Sequence, residues 1–132
     1  MKRGMLVTVK TRDDRGRSLD IFFDVMVGEN QVIECRFDTG VSTTLDERFL
    51  NRLEVQDTHR WVGIDEKGGQ TMAWSGRLEF IALAGAPTVG LNNPTVAFMR
   101  NMIYDGQIGW DFFTDRVVTF NLPEKYVIIQ KR

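Results

Sequence analysis

The sequence predicts a single, mainly β domain with one or two short helices. Apolar residues recur at every second position along most of the chain, and turn-forming residues separate these runs. The length of 132 residues fits one domain. The chain contains no linker, repeat or low-complexity segment. Residues 1–132 are therefore expected to fold as one domain.

The first part of the chain is predicted to contain three strands. The turn signals between them are clusters of Asp, Asn and Gly, which favour tight reversals of the backbone. The strands are expected at residues 5–11, 19–27 and 31–37, with turns at residues 13–16 and 28–30.

The third of these strands has two different faces. Ile33, Cys35 and Phe37 alternate with Glu34 and Arg36. Because successive side chains of a strand point to opposite sides, the apolar three are expected to face the core. Cys35 is thus interpreted as a small core residue.

The rest of the chain is predicted to alternate between short strands and single helical turns. Leu45, Phe49 and Leu53 recur four residues apart, which favours a short helix over residues 44–53. The remaining predicted elements are a hairpin of residues 61–64 and 70–74, a strand at 78–83, a loop at 85–94, a strand at 95–99, a short helix at 109–114 and a closing hairpin of residues 117–121 and 126–129.

Composition excludes several classes of function. The net charge of −1 and the absence of a basic stripe argue against a nucleic-acid partner or an anionic membrane surface. One cysteine and one histidine cannot form an internal disulfide or a Cys/His metal site, so we expect no metal and no other cofactor. No signal-like or membrane-spanning apolar run is present, so a cytoplasmic location is the expectation.

The segment from Phe37 to Ser42 carries the strongest chemical signal. It reads Phe-Asp-Thr-Gly-Val-Ser and directly follows the third predicted strand. Gly40 allows the chain to turn sharply at the end of the strand. This turn would leave the carboxyl group of Asp38 exposed, with the hydroxyl group of Thr39 beside it.

A second segment, residues 106–113, reads Gly-Gln-Ile-Gly-Trp-Asp-Phe-Phe and precedes Val-Val-Thr-Phe-Asn-Leu at residues 117–122. With both segments in place, the sequence resembles the retropepsin-like aspartic peptidases, and more closely their bacterial and cellular branch than the viral one. That family has a strand ending in Asp-Thr-Gly, a glycine-bearing flap hairpin, an Ile-Gly-x-Asp-Phe segment that opens a short helix, and a final strand pair. All four occur here in that order, over about residues 19–130.

The resemblance implies a closed β-barrel with a flap, and an aspartic endopeptidase activity. It implies Asp38 as the catalytic carboxylate, Gly40 as the residue that exposes it, and Thr39 as a brace between two subunits. Gly109 would let the short helix pack closely beneath the active-site loop, and the hairpin of residues 62–74 would be the flap. Contacts with a peptide substrate would come from Val41, Ser42, Ile64, Gly68, Gly69, Gln107 and Ile108.

The sequence departs from the viral pattern in two places, both within the two segments described above. Retroviral enzymes pair an acidic residue at the position of Ser42 with an arginine at the position of Trp110, and this pair is absent here. Ser42 is instead similar to the serine of cellular and bacterial relatives. Gln107 stands where the family commonly has an apolar residue that lines the substrate pocket.

One Asp-Thr-Gly in a chain of this length implies a homodimer. An aspartic peptidase needs two neighbouring carboxyl groups, one as base and one as acid, which share a proton. The second Asp38 would therefore come from an identical subunit across a two-fold axis. The last strand, residues 126–129, is too apolar for an open sheet edge, so we expect a strand of the partner to cover it.

Other interpretations remain beside this one. The chain could be a dimeric β module that keeps the fold but acts in protein binding or scaffolding. Asp111 is expected to cap or pair locally rather than to catalyse. A nucleic-acid-binding barrel is disfavoured by the balanced charge.

Overall fold

The computed structural model describes residues 4–14, 16, 18–64 and 67–132, and its secondary structure is almost entirely β. The strands are β1 (Met5–Thr8), β2 (Lys10–Asp14), β3 (Ser18–Val27), β4 (Gln31–Phe37), β5 (Thr44–Asp46), β6 (Gln56–Ile64), β7 (Gln70–Arg77), β8 (Phe80–Leu83), β9 (Ala86–Asn92), β10 (Thr95–Met99), β11 (Gly106–Ile108), β12 (Arg116–Asn121) and β13 (Tyr126–Lys131). Two short 3₁₀ helices span Glu47–Asn51 and Trp110–Phe113.

The strands form two sheets in the described part of the chain. The larger sheet has the order β6-β7-β10-β5-β11-β4-β3-β8-β9, and β2 adds to it by pairing with β3. The smaller sheet has the order β1-β13-β12. No pairing joins β6 to β9 among the described residues, so the closed barrel expected from the sequence stays a prediction.

The core lies between the apolar faces of these sheets. It includes Phe23, Cys35 and Ile108 from the larger sheet and Val127 and Ile129 from the smaller one, all fully buried. The alternation predicted for β4 is confirmed at its centre, where Ile33 and Cys35 are buried; Phe37 is partly exposed but packs against the core. The opposite face of β4 carries Glu34 and Arg36 together with the exposed Val32.

The single strand predicted at the N-terminus is two strands in the structure. Residues 5–11 split at Val9, because β1 pairs with β13 in the small sheet whereas β2 pairs with β3 in the large one. The N–H group of Val9 donates to Lys125 O at the crossing point (3.0 Å). Periodicity alone could not locate this change of partner.

Two further predictions were wrong. Residues 44–53 were expected to be a helix, but the first three form β5 between β10 and β11, and helix begins only at Glu47. Residues 85–94 were expected to be a loop, but Ala86–Asn92 is β9, antiparallel to β8. In both cases, backbone pairing with distant segments decides the conformation.

The remaining elements follow the predictions closely. β3, β4 and β10 match their predicted spans, and Trp110–Phe113 lies within the predicted short helix. The β6–β7 hairpin is longer than predicted at its base and extends to Gln56 and Arg77. Of its predicted turn, residues 65–66 lie outside the described residues.

The expectation that a strand of the partner covers the last strand was also wrong. β13 is the central strand of the small sheet, paired with β1 on one side and β12 on the other. Its apolar side chains are covered within the same chain because both neighbouring strands belong to it. The edges of this sheet are instead β1 and β12, which expose Leu6 and Val117.

Candidate active site

Asp38 lies where β4 ends, at the start of the Asp-Thr-Gly turn. Its N–H group donates to Ile108 O (2.9 Å), which continues the parallel pairing of β4 with β11 by one residue. The N–H group of Gly40 donates to Asp38 Oδ1 (2.9 Å), so the turn itself orients the carboxylate. The side chain of Asp38 keeps 30% of its surface exposed. The carboxyl group predicted to be exposed at the strand end is therefore only partly exposed.

The loop that follows Asp38 is held from below by the segment around Gly109. A side chain on Gly109 would collide with the carbonyl group of Val41 and would lie 3.2 Å from Asp38 O. Asp111 accepts hydrogen bonds from Thr43 N (3.0 Å) and from Gly109 N (3.2 Å). The close packing expected at Gly109 and the local capping role expected for Asp111 both agree with these contacts.

Aromatic packing fixes the residue before Asp38. The ring of Phe37 meets Trp110 edge-on (5.1 Å between centroids) and stacks on Phe120 (5.7 Å). It also meets Phe113 edge-on (5.7 Å). Such pairs stabilise beyond simple burial. The second 3₁₀ helix and β12 thus anchor the strand end that presents Asp38.

Arg36 is the unexpected member of the site. Residues two apart on a strand face the same side, and Arg36 Nη2 donates to Asp38 Oδ2 at 2.7 Å. Arg36 Nη1 also lies 3.6 Å from Asp20 Oδ1, and the guanidinium group stands 5.1 Å from the ring centroid of Tyr104. The spacing Arg-x-Asp at the end of a predicted strand was the sequence signal that could have revealed this pair.

Asp20 and Tyr104 complete a small polar group beside Asp38. Tyr104 OH donates to Asp20 Oδ2 (3.3 Å), and the Tyr104 ring packs edge-on against Phe22 (5.2 Å). Asp20 comes from β3 and Tyr104 from the loop before β11. Nothing in their sequence context indicated that the fold would bring them to Arg36, because that contact depends on β3, β4 and β11 lying side by side.

The other predicted site residues occupy two regions. Thr39, Val41 and Ser42 lie exposed in the Asp38 loop. Gln107 on β11 pairs in register with Arg36, whereas the side chain of Ile108 is fully buried. The three hairpin residues are at the far end of β6 and in the turn after it, and β7, β10, β5 and β11 lie between β6 and β4 in the sheet: Ile64, Gly68 and Gly69. Their contact with a substrate stays a prediction.

Two groups near the site have shifted pKa values. Burial raises the pKa of the Cys35 thiol, and the nearby charges of Asp105 and Glu34 raise it further. The pKa of Lys10 is also raised, first by its hydrogen bond to Glu34 and then by the bond to Asp24. Cys35 is therefore a neutral core thiol and not an available nucleophile.

Neither a metal centre nor a membrane helix is found in the described ranges. No group of three or more His, Cys, Asp or Glu side chains there is arranged to hold a metal ion. Of the helices described, none is long and apolar enough to cross a membrane.

Comparisons with known proteins bear on the fold. No protein-family model matches the sequence, and no curated protein matches it either. The structure is similar to the crystal structure of a retropepsin-like aspartic protease from Rickettsia conorii, with a TM-score of 0.61 and 13% sequence identity. The similarity covers 99% of this chain and 92% of that one. The chain therefore has a retropepsin-like, all-β fold.

Proposed function

We propose that the chain is an aspartic endopeptidase that acts as a homodimer, with one Asp38 from each subunit. The observation that carries the proposal is the Asp38 turn. In a retropepsin-like fold, a partly exposed carboxylate lies at the end of β4, oriented by the Gly40 N–H group and supported by Gly109. No other carboxylate described in this chain combines these features with an Asp-Thr-Gly sequence.

The chemistry needs two such carboxylates around one water molecule. One Asp38 would accept a proton from the water while the other, protonated, would donate to the carbonyl oxygen of the scissile peptide bond. The water would then attack the carbonyl carbon directly, without a covalent enzyme intermediate. The proton shared by such a pair belongs to both carboxyl groups together.

The second subunit would approach the face that carries Asp38, Thr39 and Trp110. The Trp110 side chain is 47% exposed although it packs on Phe37, and the edge strands β1 and β12 expose Leu6 and Val117. Apolar side chains at sheet edges are unfavourable in water and favour association. In this arrangement, Thr39 would brace the two Asp-Thr-Gly turns against each other.

An extended peptide would lie between the Asp38 loop and the β6–β7 hairpin. Val41, Ser42 and Gln107 would line one side, while Ile64 and the glycines of the hairpin turn would meet the peptide from above. Extended peptides bind such surfaces through backbone hydrogen bonds, with side chains alternating in direction. The flap and the closed barrel expected from the sequence form part of this proposal.

A second candidate function rests on the contact between Arg36 and Asp38. Because Asp38 Oδ2 already accepts a hydrogen bond from a cation, this carboxylate resembles an ordinary ion pair as well as a catalytic group. A dimeric β module that binds or scaffolds other proteins would need no free carboxylate. This candidate has the same fold and differs only in lacking hydrolysis.

The test is cleavage of a mixed peptide library by the wild-type protein and by Asp38→Asn, from acidic to neutral pH. We expect the substitution to lower cleavage on the order of 10³-fold or more, because it removes a group that transfers a proton. Asp57→Asn is the matched control, since Asp57 is an exposed residue of β6 that pairs with Arg77; its activity should equal that of the wild type. Sedimentation shows whether each variant is dimeric.

Two outcomes would contradict the proposal. If the Asp38→Asn protein cleaves as fast as the wild type, the activity belongs to another site or to a contaminant. If a stable wild-type dimer cleaves nothing across the pH range, the binding module becomes the better description.

A further inference from the structure

Arg36 makes contacts that the fold does not need. Its side chain keeps only 25% of its surface exposed, and its Nε atom is buried without a hydrogen-bond partner among the described residues. A buried donor without a partner is unfavourable, and ion pairs with solvent access usually contribute little to stability. The position therefore calls for a reason other than stability.

The guanidinium group is held in one place from two sides. Asp20 on β3 lies 3.6 Å from Arg36 Nη1, and the guanidinium group lies over the ring of Tyr104, whose hydroxyl donates to Asp20. The remaining contact is the 2.7 Å hydrogen bond to Asp38 Oδ2. These contacts place a fixed positive charge beside the carboxylate that would face its copy in a dimer.

We propose that Arg36 is a positioning residue that lets two Asp38 carboxylates meet across the two-fold axis. This inference rests on the homodimer of the proposed function. Like charges that face each other across an interface oppose association strongly. With Arg36 bound to each Asp38, the two turns approach as neutral pairs until the carboxyl groups are close enough to share a proton. Asp20 and Tyr104 keep the guanidinium group in position during assembly.

The experiment measures the dimer dissociation constant at neutral pH and low salt, by sedimentation equilibrium. Arg36→Met should raise this constant by about tenfold or more, because each Asp38 loses its cation. Arg36→Lys keeps the charge but loses the planar fork that Asp20 and Tyr104 hold, so its dissociation constant should lie between those of the wild type and Arg36→Met. Arg77→Met is the matched control, since Arg77 also pairs with one carboxylate, Asp57, at the distant base of the β6–β7 hairpin; it should leave the constant unchanged.

A double-mutant cycle separates charge from structure. Adding Asp38→Asn to Arg36→Met removes the repulsion and should restore the dissociation constant to that of Asp38→Asn alone. High salt should strengthen the Arg36→Met dimer for the same reason, and leave the double variant unaffected. Thermal unfolding of each variant shows that the fold is retained.

The inference is overturned if Arg36→Met dimerises as tightly as the wild type, if Asp38→Asn does not compensate for it, or if the wild type remains monomeric. Its failure differs from the failure of the peptidase proposal. A dimer that depends on Arg36 but cleaves nothing supports the role of Arg36 and rejects the peptidase. If cleavage depends on Asp38 but the Arg36→Met dimer is as tight as the wild-type dimer, the peptidase proposal is supported and the role of Arg36 is rejected.

Discussion

The loop that carries Asp38 and the hairpin of β6 and β7 differ in how firmly the rest of the chain holds them. The Asp38 loop is bound by β11 through Ile108 O, packed on Gly109 and tied to Asp111. In β6, by contrast, every residue except Gly63 is exposed, and the strand pairs with β7 alone in the described part of the chain. Ile64 at its end is 78% exposed.

Under the proposed function, this difference would correspond to a division of tasks. A carboxylate that transfers protons must sit within tenths of an ångström of its working position, so its loop is built on buried strands. A hairpin that grips an extended peptide must admit the peptide first, so it gains from having few contacts of its own. The chain thus packs the Asp38 loop tightly and leaves the β6–β7 hairpin with few tertiary contacts.

The largest contrast is expected between the isoleucines of the two regions. Ile108→Ala should lower the free energy of unfolding by about 4 kcal/mol, because the side chain is fully buried beneath the Asp38 turn. Ile64→Ala should change it by less than about 0.5 kcal/mol, since its side chain is already in solvent. Denaturation in urea measures both. Equal losses would mean that the hairpin is packed as firmly as the loop, and the comparison would fail.

A second contrast uses the glycines of the two regions. Gly109→Ala should destabilise by about 3 kcal/mol, because the new methyl group collides with the Val41 carbonyl and must displace the Asp38 loop. Gly68→Ala meets nothing within 4 Å but has φ of +79°, so only backbone strain of about 1 kcal/mol is expected.

Measurements of cleavage by the same two variants test this contrast further. Gly109→Ala should lose cleavage even at temperatures where it is folded, because Asp38 moves with its loop, whereas Gly68→Ala should retain the catalytic rate constant. If the Gly109→Ala protein has wild-type stability and activity, the Asp38 loop can move to make room for a methyl group and is not fixed by its packing on Gly109.

The sequence predicted the region of the Asp38 turn well, and the reason is local. Alternation in β4, the turn at Gly40 and the capping by Asp111 depend on residues close together in sequence or on a recognisable motif. The short helix of Trp110–Phe113 was found for the same reason. Features of this kind can be predicted from neighbouring residues without knowledge of the tertiary fold.

What the sequence did not predict depends on distant pairing. β5 and β9 are strands only because β10, β11 and β8 lie beside them. The polar group of Asp20, Arg36 and Tyr104 joins three segments that only the sheet brings together. The central position of β13 likewise follows from β1, more than a hundred residues earlier in the chain. The assignment of substrate contacts in the hairpin stays a prediction.

The smallest effect concerns Cys35, the thiol beneath the firmly held region. Burial raises its pKa in the folded chain, whereas the unfolded thiol ionises near pH 8.5. Above that pH the unfolded state loses a proton that the folded state keeps, so the free energy of unfolding should fall as pH rises, by about 1.4 kcal/mol per pH unit. Below it, Cys35 should add no pH dependence.

Cys35→Ala isolates this contribution, because other groups that titrate between pH 8 and 10 are present in both proteins. The difference in unfolding free energy between wild type and variant should be constant from pH 6 to 8 and shrink steadily from pH 8.5 to 10. A thiol reagent should likewise react with Cys35 only as fast as the β4 region opens. A constant difference up to pH 10 would mean that water already reaches Cys35 in the folded chain, and the region under Asp38 would then be as loosely held as the hairpin.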